Sequence, residues 1–205
     1  MELAPLLLAS IVGFSHAFEA DHLVAVSTIV TKRNNILLAL KDGIYWGLGH
    51  TSTILLVGCI FIVGKWMIQE DSFRYLEAMV GAMLIILGAS RLYKLSNEKT
   101  QFMTYEHHGH THKLAYGVGL VHGLAGSGTL ILSVLTTIKG VLSSLLYLVI
   151  FGIGSIGGMM LAAGIFSIPF SEKLFRNKLI YTSMIIISSL FCIGLGTFIM
   201  YENLR

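Results

Sequence analysis

The stretch LAPLLLASIVGFSHAFEADHLVAVSTIV, Leu3 to Val30, decides how the rest of the chain is read. A helix rising about 1.5 Å per residue needs roughly twenty mostly apolar residues to cross a bilayer, and this stretch is long enough. Yet it carries His16, Glu19, Asp21 and His22 well inside it. On insertion scales a central Asp costs about 3 kcal/mol, so the two carboxylates together cost roughly 5 to 7 kcal/mol unless something compensates them. At about 100° per residue, His16, Glu19 and His22 form one stripe of i, i+3 neighbours, while Asp21 points away from it. One regular helix cannot converge all four. Either the helix is distorted here, or Asp21 orients a ligand or bonds a neighbouring helix.

The remaining sequence has the same character. Of 205 residues, 55% are apolar and only 12% charged, against roughly 25% charged in an ordinary soluble domain. The two prolines, Pro5 and Pro169, sit near segment ends and leave the long runs uninterrupted. Runs such as Leu76 to Leu92 and Tyr181 to Tyr201 are nearly continuous in apolar residues, unlike the alternating ten-residue segments of membrane barrels. The fold class is therefore an all-α integral membrane protein. Its crossings are expected near Leu3 to Val30, Gly43 to Val63, Arg74 to Tyr93, Leu114 to Thr137, Leu142 to Phe166 and Leu179 to Tyr201, about six in number. The N-terminus lacks the basic region of a cleavable signal, so the first segment is expected to be retained.

The net charge of +3 is small and its Lys and Arg residues lie between apolar runs, which gives nucleic-acid binding no support. Cys59 and Cys192 sit in apolar segments without Cys-x-x-Cys spacing, as small hydrophobes do. Lys and Arg divide ten to four between alternate loops, out of 14. The positive-inside rule then puts both termini outside a plasma or inner membrane.

The two halves resemble each other. Val12-Gly13-Phe14-Ser15-His16-Ala17-Phe18 aligns without a gap on Val118-Gly119-Leu120-Val121-His122-Gly123-Leu124, and Gly47-Leu48-Gly49-His50 aligns on Gly152-Ile153-Gly154-Ser155. Three helices per half is an odd number, so the halves would have opposite topology, two inverted three-helix repeats with a site where they meet. The expected organisation is one transmembrane domain over 1–205: repeat one about 1–95, a histidine-rich cytoplasmic loop about 96–113, and repeat two about 114–205.

His50 on the second crossing and His122 on the fourth add imidazoles inside apolar segments. Counted from the cytoplasmic ends of their helices, His22, His50 and His122 all lie about 10 to 12 Å deep, so three helices can bring them together. A single buried histidine is most simply a core residue bonded to a carbonyl. Four of them beside two carboxylates point to a metal or proton pathway. Imidazole with carboxylate suits Ni, Co, Zn, Cu or Fe better than Mg or Ca. The loop residues His107, His108, His110 and His112 form a tract of the kind that binds divalent metals weakly, although a solvated linker has the same composition. Glycine spacings such as Gly43 with Gly47 and Gly119 with Gly123 allow close helix packing. Gly126-Ser127-Gly128-Thr129 could instead unwind and offer carbonyls to an ion. Trp46 and Trp66 fall near the ends of the second crossing, where interface anchors sit.

The run His16-Ala17-Phe18-Glu19-Ala20-Asp21-His22-Leu23 closely resembles the His-Ala-x-Asp-Ala-Asp-His signature of the nickel/cobalt transporter family. Gly47-Leu48-Gly49-His50-Thr51-Ser52 is similar to that family's second motif, with the small residues after the histidine exchanged. Gly119-Leu120-Val121-His122-Gly123-Leu124-Ala125-Gly126-Ser127 is similar to the helix-four motif of the shorter, six-helix UreH-like branch. The resemblance implies secondary transport of Ni2+ or Co2+, with the ion as cargo and no permanently bound cofactor. It implies His16, Asp21, His22 and His50 as metal-site residues, with Glu19 and His122 as further ligands or supports, and uptake as the direction. Glu19 stands where larger members have Asp. The implied partners are a divalent metal ion, the lipid bilayer and a second copy of the chain, with a link to urease or hydrogenase maturation. Histidine-rich loops also occur in related exporters, so efflux is one alternative. An intramembrane metalloenzyme using the same cluster is another, although no His-Glu-x-x-His and no Walker-type loop is present.

Overall fold

The computed structural model describes residues 3–30, 35–64, 70–97, 112–138, 140–168 and 178–205. They form seven helices: α1 (Leu3–His16), α2 (Ala20–Val30), α3 (Ile36–Gly64), α4 (Glu70–Asn97), α5 (Lys113–Thr137), α6 (Val141–Ser167) and α7 (Lys178–Leu204). Among the described residues, α3, α6 and the stretches Arg74–Asn97 and Tyr181–Leu204 are long and apolar enough to cross a membrane. Their outward faces carry large apolar side chains, among them Leu56, Ile86, Leu142, Ile153 and Phe191, all exposed. Such faces are stable against hydrocarbon and are consistent with an integral membrane protein.

The first crossing differs from the expected single helix. It is divided into α1 and α2 by a tight turn, in which the Phe18 amide donates to the Ser15 carbonyl and the Glu19 amide to the His16 carbonyl, before the Leu23 amide donates to the Glu19 carbonyl. The helices α3 to α7, four of them long and apolar enough to cross, match the other expected segments to within a few residues, except that α3 begins at Ile36, a full two turns before Gly43. The helix α5 runs unbroken through Gly126–Thr129, so the unwinding considered for that stretch does not occur.

In the bundle, α3 packs against α5 and α6, α1 against α6, and α4 against α7, while α2 touches α7 and α6. These contacts are made backbone to backbone through glycine. A Cβ at Gly13 would run into the carbonyl of Phe151 on α6, and one at Gly119 into the carbonyl of Trp46 on α3. Gly49 backs onto the Tyr116 carbonyl, and Gly154 onto that of Ser10. Gly88 faces Ser189, Cys192 and Ile193, and Gly196 faces Gly81, Leu84 and Ile85. Each contact thus has a counterpart in which the helices of the two halves of the chain trade places. The run of partners also gives direction: Gly43 lies beside Met159, Gly47 beside Ile156 and Gly152 beside Thr51, so α3 and α6 are antiparallel. By the same test α4 and α7 are antiparallel.

Candidate metal centre

The break after His16 is what assembles the centre. Residues 17–20 contain neither Gly nor Pro, so the turn comes from packing, with Ala17 fully buried against Gly158 of α6. The turn redirects the chain so that Asp21, which a straight helix would aim elsewhere, faces the same space as His22. The Asp21 Oδ1 accepts from the His22 backbone amide at 2.8 Å, one of the donors that a helix start leaves without an intrahelical partner.

Four imidazoles meet here. The ring of His22 on α2 lies 4.6 Å from that of His16 and 4.6 Å from that of His122 on α5. His50 on α3 lies 5.2 Å from both His16 and His22. His22, His50 and His122 are no more than 1% exposed. The ligand atoms fall into two groups, His16 with His22 and His50, and Asp21 with His22 and His122, each within 4.8 Å of one another. His22 belongs to both.

Two carboxylates set the imidazole tautomers. Glu19 Oε1 lies 2.8 Å from His16 Nδ1 and Asp21 Oδ1 lies 3.0 Å from His22 Nδ1. An ionised carboxylate can only accept, so each Nδ1 carries the proton and each Nε2 keeps its lone pair. Those two Nε2 atoms, and both ring nitrogens of His50 and His122, are buried without a hydrogen-bond partner among the described residues. The second oxygen of Asp21 approaches His122 Nε2 only to 3.6 Å, too long for a hydrogen bond. Each unsatisfied buried polar atom costs about 1–3 kcal/mol, so a concentration of them on one spot is a cost that a bound cation removes.

A cavity of about 530 Å3 reaches this centre, lined by His16, Glu19, Asp21 and His122 and also by Glu77 and the exposed Glu202. Sequence reasoning passed over both glutamates, although Glu77 lies inside an apolar segment and an ionisable residue there is a signal in itself. Two further readings change. Trp46 is fully buried and its ring sits 5.5 Å from that of His22 and 6.0 Å from that of His122, which makes it a wall of the centre and not an interface anchor. His112 stands apart from the cluster: its Nδ1 lies 2.6 Å from Asp42 Oδ1 and its ring stacks on Tyr45 at 4.7 Å. Asp42 is only 2% exposed and begins two turns before His50, about 12 Å along α3. His107, His108, His110 and Trp66 lie outside the described residues.

Comparison with known proteins adds an independent line. Residues 3–116 match the NicO family, described as high-affinity nickel-transport protein. The chain is 32% identical over 210 residues to a urease accessory protein UreH of Bacillus sp. (strain TB-90), covering 98% of this chain and 92% of the relative. It is 31% identical over 97 residues to the nickel transporter NixA of Staphylococcus aureus, covering 42% of this chain and 28% of that protein. A high-affinity nickel transport protein of Cupriavidus necator is 30% identical over 80 residues, 38% of this chain and 23% of the relative. No solved structure matches the chain.

Proposed function

Since the chain belongs to the NicO family of nickel-transport proteins, we propose that it is a secondary transporter that carries Ni2+, or Co2+, into the cell through the four-imidazole centre. The observation that carries this reading is the set of buried, unpartnered ring nitrogens on His16, His22, His50 and His122 beside Asp21. Nitrogen donors with one carboxylate suit a borderline divalent ion and suit Mg2+ or Ca2+ poorly. Glu19 and Asp21 act chiefly by holding the proton of His16 and His22 on Nδ1, which turns each Nε2 toward the ion.

Release is as necessary as binding. Each group of ligands offers three donors, fewer than the four of a closed structural site. Because His22 is common to both groups, the ion can pass from one to the other without losing all its ligands at once, which suits conduction through several moderate sites. The working parts are two inverted repeats, about 1–95 and 114–205, joined by the loop 96–113. Supporting this are the reciprocal glycine contacts and the antiparallel pairing of α3 with α6 and of α4 with α7, as a two-fold axis in the membrane plane requires. Alternating access then moves the α4–α7 pair against the block that the glycine seams make of α1, α3, α5 and α6. The loop charges put both termini outside, and the name of the UreH relative points to delivery of nickel for urease.

Reconstitution of the purified chain in liposomes with an internal metal indicator tests the reading. Ni2+ or Co2+ should enter, Mg2+ should not, and His50→Ala should abolish the flux while remaining inserted and monodisperse. Metal that binds tightly but never crosses under any voltage or pH gradient would defeat it.

A further inference from the structure

The cavity that reaches the centre is also lined by Glu77 of α4 and by Ile199, Glu202 and Asn203 near the end of α7, where the exposed Glu202 marks its mouth. Among its inner lining is His122, 1% exposed, whose ring nitrogens have no hydrogen-bond partner among the described residues. The mouth therefore leads to an unsatisfied donor and not to a plain crevice. The contacts of Gly88 with Ser189, Cys192 and Ile193 reproduce those of Gly196 with Gly81, Leu84 and Ile85. The exchange that maps one set on the other takes Glu202 to Lys94, Glu77 to Ile185 and Ile199 to Arg91. Meanwhile the pairing of Gly13 with Gly119 takes His16 to His122 and Glu19 to Ala125, all of which line the cavity already. The exchange carries one histidine of the centre onto another and sets Lys94 where the mouth has Glu202.

We infer that Glu77 and Glu202 form a recruitment site for a hydrated divalent cation at one mouth, and that Lys94 makes the opposite mouth repel it, so the charge difference between the mouths biases transport toward uptake from the glutamate side. The inference rests on the transport reading and on the repeats. Glu202 and Lys94 are exposed, so neither needs to strip the ion of water; each acts through the field at its mouth. Like-signed charges lining a cleft raise the local concentration of a counter-ion and its rate of arrival, an effect that salt screens over about 8 Å at physiological strength. A dication released beside Lys94 meets the opposite field and leaves.

The test uses membrane vesicles of both orientations from cells expressing the full chain, with Ni2+ alone as the probe. Wild-type protein should show a lower half-saturating Ni2+ concentration in the orientation that exposes Glu77 and Glu202. The double variant Glu77→Gln, Glu202→Gln should raise that value about three- to tenfold, in that orientation only and less at high salt. Lys94→Glu should lower the half-saturating concentration in the other orientation. Shifts that are equal in both orientations, or absent, would overturn the inference while leaving transport intact. No wild-type flux in either orientation would overturn the transport reading and this one with it. The Ni2+-induced rise in thermal midpoint of the detergent-solubilised double variant should match wild type; its loss would assign the glutamates to the central site and overturn the recruitment role.

Discussion

Asp21 holds two histidines from different helices with its two oxygens: Oδ1 lies 3.0 Å from Nδ1 of His22, its own neighbour in the chain, and Oδ2 lies 3.6 Å from Nε2 of His122 on α5. One carboxylate thus sets a tautomer on α2 and brings negative charge beside a second ring across the bundle.

Replacing Asp21 by Asn keeps the shape and removes the charge. The His22 proton is then free to move to Nε2, which blinds the atom that faces the centre. Ni2+ affinity should fall about ten- to a hundredfold, the usual cost of losing a carboxylate behind a metal-binding histidine. Equilibrium binding to protein in detergent reads this directly, and an unchanged affinity would remove Asp21 from the site.

Ni2+ should stabilise the folded protein. A ligand at a hundred times its dissociation constant adds about 2.7 kcal/mol, which a thermal melt in detergent detects as a raised midpoint. Mg2+ at the same concentration should leave the midpoint where it is, and His50→Ala should cancel the Ni2+ effect.

His112 and His50 should part company under substitution. His112→Ala removes the 2.6 Å contact to Asp42, 2% exposed, and losing a hydrogen bond to a charged group costs about 1.5–3 kcal/mol. The variant should melt earlier and still respond to Ni2+. A lost response with an unchanged melt would mean that His112 belongs to the metal site.

Gly119→Ala drives a methyl into the backbone carbonyl of Trp46, and Gly13→Ala does the same at Phe151. Backbone cannot step aside as a side chain can, so each should destabilise by about 1–3 kcal/mol. Gly157→Ala and Gly194→Ala, where nothing lies within 4 Å of the added carbon, should be neutral or slightly stabilising. Melting temperatures of the four variants decide the matter.

The long apolar runs made the helices legible, because nothing in them stops a helix. Depth counting grouped His22 and His122, since a helix converts residue number into height, but it brought His50 level with them only by starting α3 at Gly43 instead of Ile36. The turn at residues 17–19 was legible only as a contradiction, four polar groups that a straight helix could not converge. Ala17, Phe18, Glu19 and Ala20 are all tolerated within a helix, and the break is set by how Ala17 seats on α6. Trp46 was misread for a related reason. Placing the helix start at Gly43 leaves Trp46 near an end, whereas the actual start at Ile36 carries it to the depth of the histidines. Glu77 and Glu202 join the site only because α4 and α7 pair, and that pairing is written in glycine contacts such as that of Gly81 with Met200, which no local pattern around either glutamate announces.

The glycine seams also limit how the machine can be driven. Where helices rest on each other's carbonyls there are no side-chain teeth to slip from notch to notch. The α3–α5, α1–α6 and α3–α6 seams therefore weld α1, α3, α5 and α6 into one block, and the α4–α7 seam makes a second. The freedom to turn inside out falls to the thinner joints, where α2 leans on α7 and α4 on α5, and His22 rides on the first of these.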